Sequence, residues 1–206
     1  HEDWNSPIWV HQPVEVKKEN RKRNLRILGR SVREAATQYF YIHQEHYCSN
    51  NRDAALEFGK IALGLPNAKM EVAGKTLDGE DFDWASYRGK VVLVDFWATW
   101  CGPCVGELPN VEACYRQFHD RGFEVVGISL DRDRKALDSF LAKRKLPWVQ
   151  LFHETDPGAE RQMNPMAEKY AVSSIPAAFL VDRDGHVIST QARGEELKRL
   201  LFKIFN

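Results

Sequence analysis

The most informative stretch of the 206-residue chain reads Val94-Asp95-Phe96-Trp97-Ala98-Thr99-Trp100-Cys101-Gly102-Pro103-Cys104. It contains the end of a nearly continuous apolar run from Val91 to Trp97, which is the pattern of a central strand covered on both faces. Apolar residues then recur at helical spacing from Pro103 to His119. We therefore predict a buried strand that leads directly into two cysteines at the start of a helix.

The position of the first cysteine favours its thiolate. Backbone N–H groups at a helix N-terminus are unpaired and the helix dipole is positive there, so the pKa of the Cys101 thiol is expected to fall. Two intervening residues let the sulfur of Cys104 reach that of Cys101 within one helical turn. Pro103 costs no hydrogen bond at this place, because the first N–H groups of a helix have no partner within it. The stretch therefore predicts a redox-active dithiol.

A zinc site is the alternative use of these cysteines. Tetrahedral zinc needs four ligands, usually from a second pair of cysteines or histidines. The remaining cysteines, Cys48 and Cys114, stand alone, and His43 and His46 lie one turn apart on a predicted helix from which Cys48 points elsewhere. We therefore favour redox chemistry and predict no metal site. Cys114 is expected to be a buried, inert thiol, whereas Cys48 could be a reactive thiol or could bridge to another chain.

Composition argues against a nucleic-acid-binding protein and excludes a membrane-spanning one. Lys plus Arg and Asp plus Glu each number 29, so the net charge is zero, whereas a protein that binds nucleic-acid phosphates normally carries a basic excess. The longest apolar run is far too short to span a bilayer. The chain begins at His1 without a Met, so we expect a processing boundary before which a signal peptide or anchor could have been removed.

The pattern of the chain changes near Pro66. Residues 1–65 hold an irregular arm and two predicted amphipathic helices, for which we identify no family. From residue 66 onward strands alternate with helices, which predicts an α/β domain with a mixed sheet. Its further predicted elements are a strand at Phe123–Leu130, a helix at Arg134–Lys145, a hairpin of Ala177–Val181 and His186–Thr190, and a helix at Glu195–Phe205. A turn into a short strand is predicted within Thr76–Phe82.

The motif Trp100-Cys101-Gly102-Pro103-Cys104 resembles the active-site motif of thioredoxins. The wider frame from Gly89 to Trp100, followed by Glu107-Leu108-Pro109, resembles the TlpA/ResA-like branch of that superfamily, which is related to the alkyl hydroperoxide reductase/thiol-specific antioxidant group. The resemblance covers about residues 68 to 206. It implies a thioredoxin-like fold, a mixed central sheet flanked by helices, to which residues 1–65 add an N-terminal helical extension.

The resemblance also implies roles for individual residues. Cys101 matches the attacking cysteine and Cys104 the resolving one. Asp95 matches the buried acid that relays a proton to the resolving thiol, and Glu107 matches an acid that the ResA-like branch carries on the first active-site helix. Either acid could deprotonate Cys104. The alternatives are an ion pair with a buried lysine for Asp95 and a solvated helix position for Glu107.

Substrate contacts are implied on both sides of the dithiol. Ser174-Ile175-Pro176 falls where the superfamily has a cis-proline, whose implied role is to present the backbone of Ile175 to an extended substrate chain. Trp100 is expected to form an apolar rim beside Gly102 and Pro103, on which a partner protein rests.

The function implied is that of a thiol–disulfide oxidoreductase which reduces protein disulfides through a mixed disulfide. The Gly-Pro dipeptide resembles that of reducing thioredoxins, whose potential is about −270 mV. The resemblance implies no cofactor besides the redox-active disulfide, protein disulfides as substrates, an upstream thiol electron donor that could be membrane-bound, and a place outside the cytoplasm of a bacterium. Neither nucleic acid nor a nucleotide cofactor is expected, since phosphate-binding glycine motifs are absent from the sequence.

Two alternative functions are a thiol-dependent peroxidase and a redox-sensitive adaptor. Thiol-dependent peroxidases of the related antioxidant group place their cysteine in a Pro-x-x-x-Thr-x-x-Cys pattern, which the residues before Cys101 do not match. A redox-sensitive adaptor would instead use residues 20–65 to dock onto a larger assembly. Turnover separates it from an enzyme, because an adaptor needs no catalysis of disulfide reduction.

Overall fold

The computed structural model describes residues 68–154, 164–170 and 172–206. From Lys69 to Asn206 the chain forms one compact unit. The predicted arm and helices of residues 1–65, the boundary near Pro66 and Cys48 lie outside the described residues. No helix within the described part of the chain is both long enough and apolar enough to cross a membrane.

The unit is built on a mixed sheet, as predicted, and the sheet has six strands. Its strands are β1 (Lys75–Thr76), β2 (Val91–Trp97), β3 (Phe123–Ser129), β4 (Val149–Phe152), β5 (Ala177–Val181) and β6 (Val187–Ser189). Their order across the sheet is β1-β4-β3-β2-β5-β6. The three central strands β4, β3 and β2 are mutually parallel, and β1, β5 and β6 are antiparallel to their neighbours.

Four α-helices flank the sheet within the described residues: α1 (Gly102–Phe118), α2 (Arg134–Lys143), α3 (Pro165–Lys169) and α4 (Gly194–Phe205), with 3₁₀ turns at Trp84–Tyr87 and His119–Arg121. The three helices predicted in this part of the chain, α1, α2 and α4, are confirmed to within two residues at each end, whereas α3 was not predicted. Helix α2 ends two residues earlier than predicted. Arg144, the residue after the last helical position, already has an extended backbone, with φ −125° and ψ 97°.

Two short strands differ from the predictions. β4 was not predicted, because its four residues are interrupted by the polar Gln150 and only pairing with β3 makes them a strand. β1 precedes the predicted turn instead of following it, and the chain after the turn contributes only an isolated bridge between Asp81 and Lys75. Short segments carry too few residues for periodicity to place them.

The topology gathers several segments at one edge of the sheet. β2 runs parallel to β3 and antiparallel to β5, so the carboxyl ends of β2 and β3 lie beside the start of β5. The chain leaves β2 at this edge to enter α1, and Phe96 pairs with Ala177 at the start of β5. Side chains of β2 alternate between the faces, and Leu93 and Trp97 pack in the core cluster that includes α1 and α4 residues.

Candidate active site

The two cysteines of the motif are joined in a disulfide at the start of α1. Cys101 is the N-cap residue of the helix, and its Sγ accepts a hydrogen bond from the backbone N–H of Cys104 at 3.3 Å. Both residues are buried, Cys101 with 6% of its surface exposed and Cys104 with 2%. A thiolate at Cys101 would therefore lie against unpaired helix N–H groups, which is the environment that stabilises it.

The predicted substrate-binding residues border this disulfide. Trp100 is 67% exposed, and Gly102 and Pro103 are exposed beside it. The peptide bond between Ile175 and Pro176 is cis, as predicted. Ile175 packs against the core cluster to which both disulfide cysteines belong. An exposed indole thus adjoins the dithiol in the chain, and the half-buried cis-proline loop packs on the same core cluster as the two cysteines.

Asp95 lies on β2, on the sheet face that carries Trp97, and is only 7% exposed. Burial, followed by the negative charge of Glu107, raises the pKa of its carboxyl from 3.8 to about 7, and the positive charge of Arg193 acts in the opposite direction. An acid that titrates near neutral pH is suited to accept and return a proton. Within the described residues the cation that acts on Asp95 is Arg193, so the ion pair with a buried lysine is not found.

Glu107 is half-buried on α1 and is tied to the last helix. Its Oε1 accepts hydrogen bonds from the backbone N–H of Gly194 at 2.6 Å and from Asn110 Nδ2 at 2.7 Å. Asn110 also donates to the carbonyl of Gly194 at 3.2 Å. Glu107 is therefore not a freely solvated helix residue, because its carboxylate holds the start of α4 against α1.

Arg193 belongs to the site although the sequence analysis did not single it out. Its Nη1 donates to the carbonyl oxygen of Pro176 at 2.8 Å. Since the next residue, Gly194, donates to Glu107, these two consecutive residues connect the cis-proline loop to the active-site helix. The only sequence signal was a cation just before the predicted C-terminal helix, which is common on protein surfaces.

Asp131 is a second residue near the dithiol that the sequence analysis did not single out. It is 5% exposed, and its carboxylate accepts from the backbone N–H of Thr99 at 3.1 and 3.2 Å, from Thr99 Oγ1 at 2.6 Å and from Ser129 Oγ at 2.9 Å. These bonds hold the segment that joins β2 to the dithiol. An acid directly after a buried strand was the available signal, since the carboxyl ends of parallel strands are where functional groups gather.

Other candidate groups lie outside this arrangement. Cys114 is a free thiol and is buried, as expected, and burial is the main cause that raises its pKa to about 11. In the described part of the chain, three side chains could share a metal ion: Asp182, Asp184 and His186, in the turn between β5 and β6. Asp182 Oδ1 accepts the backbone N–H groups of the other two, so its carboxylate shapes the turn.

Comparison with known proteins agrees with this geometry. Residues 63–200 match the Redoxin family. The chain is 29% identical over 162 residues to the thiol-disulfide oxidoreductase ResA of Bacillus cereus, covering 79% of this chain and 83% of that protein. The thioredoxin domain of a thiol-disulfide oxidoreductase from Bacteroides vulgatus superposes with a TM-score of 0.57 at 30% identity, covering 66% of this chain and 93% of that one. A thiol:disulfide interchange protein from Bacteroides sp. has a TM-score of 0.56 at 28% identity, with coverages of 66% and 86%.

The matched region contains the strand, the cysteine pair, both acids and the cis-proline. The thioredoxin-like sheet and the Cys-x-x-Cys at the start of α1 agree with these relatives in fold and in chemistry. The chain therefore belongs to the Redoxin family, and it is a thiol–disulfide oxidoreductase of the thioredoxin superfamily.

Proposed function

We propose that this oxidoreductase works as a reductase of protein disulfides, with Cys101 as the attacking thiolate. The observation that carries the proposal is the position of Cys101 Sγ, which caps α1 and accepts the N–H of Cys104 beside the exposed Trp100. The reductive direction is supported by the Gly-Pro dipeptide between the cysteines, which resembles that of reducing thioredoxins.

In the first step the Cys101 thiolate attacks one sulfur of a substrate disulfide. A bond forms between Cys101 Sγ and that sulfur, the substrate S–S bond breaks, and the other substrate sulfur leaves as a thiolate. The helix N-terminus favours this step because it stabilises the attacking thiolate at neutral pH. The product is a mixed disulfide between Cys101 and the substrate.

In the second step Cys104 resolves the mixed disulfide. Its thiol gives its proton to Asp95, or alternatively to Glu107, and the resulting thiolate attacks Cys101 Sγ. The bond between Cys101 and the substrate breaks, and the second substrate sulfur leaves as a thiolate. The substrate disulfide has then gained two electrons, and Cys101 and Cys104 are left as a disulfide. A pKa of about 7 for Asp95 supports its assignment as the proton acceptor.

The substrate is proposed to bind as an extended segment along the cis-proline loop. The backbone of Ile175 would pair with this segment like a short added strand, and Trp100, Gly102 and Pro103 would contact its neighbouring residues. The hydrogen bond from Arg193 to the carbonyl of Pro176 supports the role of this loop as a fixed edge.

The cycle needs a further thiol protein to reduce the disulfide again. We assign this donor as an upstream dithiol, membrane-bound in the manner of the TlpA/ResA-like branch, and place the protein outside the cytoplasm of a bacterium. The dithiol is the only redox group in this scheme, and no separate cofactor takes part. We place the catalytic domain in residues 66–206, which residues 1–65 precede as an N-terminal segment.

The reduction potential of the Cys101–Cys104 pair tests the direction. The protein is equilibrated in dithiothreitol or glutathione buffers, and the redox state is followed through the fluorescence of Trp97 and Trp100. We expect a potential near that of thioredoxin, about −270 mV. A value well above the glutathione couple would contradict the reductase and indicate an oxidase or isomerase.

Trapping tests the mixed disulfide. Cys104→Ser should accumulate a covalent complex between Cys101 and substrate proteins, released by dithiothreitol, whereas the matched variant Cys101→Ser should form none. If the wild-type protein catalyses no disulfide reduction with a chemical thiol donor, the adaptor is the better description. Faster turnover with hydrogen peroxide than with protein disulfides would favour the peroxidase.

A further inference from the structure

A buried glutamine lies in one row with the proposed proton acceptor. In the parallel sheet Asp95 of β2 is paired with Gly127 of β3, and Gly127 is paired with Gln150 of β4. Paired residues of neighbouring strands point to the same face, so Asp95 and Gln150 share the face that carries the dithiol helix, with only a glycine between them. Gln150 is 5% exposed.

The orientation of the Gln150 amide follows from its partner. The indole Nε1–H of Trp97 donates to Gln150 Oε1 at 2.9 Å. An indole N–H can only donate, so the amide must present its oxygen to Trp97 and direct its NH₂ group elsewhere. This Nε2 is buried and has no hydrogen-bond partner among the described residues. A buried N–H donor without a protein partner is rare and is commonly satisfied by a water molecule.

The Gln150 amide packs directly over Gly127. A Cβ at residue 127 would lie 2.7 Å from Gln150 Nε2 and closer still to Oε1. The amide therefore occupies the space above Gly127 that a side chain would fill. Neighbouring strands are about 4.8 Å apart, so an amide above Gly127 lies about one strand spacing from the side chain of Asp95. That separation suits a single bridging water.

We propose that Gln150 is a positioning residue for the resolving step, whose amide N–H acts on the Asp95 carboxylate through a bridging water above Gly127. The inference rests on the proposed function, since Asp95 is the proton acceptor there. A donor directed at a carboxylate stabilises its ionised form, so Gln150 keeps Asp95 able to take the proton of Cys104 despite its burial.

The other groups that face Asp95 come from α1, α4, β3 and β5. Glu107 acts from α1 with a negative charge, and Arg193 acts from the start of α4 with a positive one. Cys104, on α1, carries the thiol whose proton Asp95 is proposed to accept. β3 contributes Gly127 and β5 contributes Ala178 at the paired positions, and neither side chain titrates. Gln150 therefore supplies the polar group on the β4 side of Asp95.

The test is the pH midpoint of the Asp95 carboxyl in the full-length, oxidised protein, measured by ¹³C NMR and assigned by its loss in Asp95→Asn. We expect Gln150→Leu to raise this midpoint by about one pH unit, because the donor is lost. Gly127→Ala, which displaces the amide without removing it, should shift it in the same direction. Gln117→Leu makes the same chemical change at an exposed position of α1 and should leave the midpoint unchanged.

The resolving step provides the second readout. The release of a thiol from a preformed mixed disulfide on Cys101 should move its pH profile upward in Gln150→Leu by the same amount as the carboxyl midpoint. In the Asp95→Asn background, Gln150→Leu should cause no shift. An unchanged midpoint, or a shifted midpoint with an unchanged profile, would overturn the assignment of Gln150. The carboxyl midpoint needs no turnover, so a failure of the proposed function would show separately, as absence of disulfide reduction by the wild type.

Discussion

The Glu107 carboxylate accepts a 2.6 Å hydrogen bond from the backbone N–H of Gly194, 87 positions further along the chain. The helix that carries the dithiol is thereby fixed to the start of the last helix. The preceding residue, Arg193, holds the carbonyl of Pro176. A displacement of either helix would thus move the cysteines relative to the loop that we propose binds the substrate.

Replacing Glu107 should lower the pKa of the Asp95 carboxyl. Glu107→Gln keeps an oxygen that can accept from Gly194 but removes the negative charge that raises the pKa of Asp95. We expect the Asp95 midpoint to fall below about 7, and the pH profile of the resolving step to fall with it. Glu107→Ala should in addition lower the free energy of unfolding by about 1–3 kcal/mol, because it leaves the Gly194 N–H without its acceptor. An Asp95 midpoint that stays the same in Glu107→Gln would show that the two acids are not coupled.

Arg193→Met should have the opposite effect on Asp95. The variant removes the positive charge that lowers the pKa of Asp95, so the midpoint should rise. It also removes the hydrogen bond to Pro176, so we expect a several-fold increase in KM for a protein substrate. Arg199→Met is the matched control, because Arg199 pairs with Glu196 on the exposed side of α4. If Arg193→Met and Arg199→Met gave the same Asp95 midpoint and the same KM, a specific role for Arg193 would be contradicted.

Asp131 should be required for the stability of the segment before the dithiol. Asp131→Ala removes the acceptor of both the N–H and the Oγ1–H of Thr99, and we expect a loss of about 2–4 kcal/mol in the free energy of unfolding. Thr99→Val removes the hydroxyl and retains the backbone bond, so its loss should be the smaller of the two. Denaturant unfolding of the oxidised proteins measures both, with the exposed Asp120→Ala as control. A cost of Asp131→Ala no larger than that of the control would contradict the assignment.

The buried Asp95 should make the oxidised protein less stable at alkaline pH. Its pKa is raised from 3.8 to about 7 in the folded state, so folding favours the protonated carboxyl. This contribution is fully present below about pH 4 and is lost as the pH rises through 7. Asp95→Asn cannot ionise. Its free energy of unfolding relative to that of the wild type should therefore be higher at pH 8.5 than at pH 4, by up to about 4 kcal/mol.

Chemical unfolding at the two pH values measures this difference. The same variant should slow the resolving step, because the proposed proton acceptor is lost. If the stability difference between wild type and Asp95→Asn did not change with pH, the carboxyl would not titrate in this range.

The strand from Val91 to Trp97, the cysteine pair and the following helix could be predicted from the sequence. Each is encoded locally, by an apolar run, by a two-residue spacing and by helical periodicity, and no distant residue is needed to recognise it. The cis peptide at Pro176 was predicted from resemblance. β4 could not be predicted, because a four-residue strand with a central Gln150 has no pattern of its own.

The surroundings of the dithiol depend on contacts between distant parts of the chain. Asp131, Arg193 and Gln150 look like ordinary polar residues in the sequence, since acids, arginines and glutamines are common on protein surfaces. The parallel pairing of β2, β3 and β4 brings Gln150 into one row with Asp95, and the docking of α4 on α1 brings Arg193 to the cis-proline. Local sequence therefore specifies the reactive cysteines, whereas the polar groups around them are brought together only by the folded sheet and its helices, because their partners lie tens of residues away.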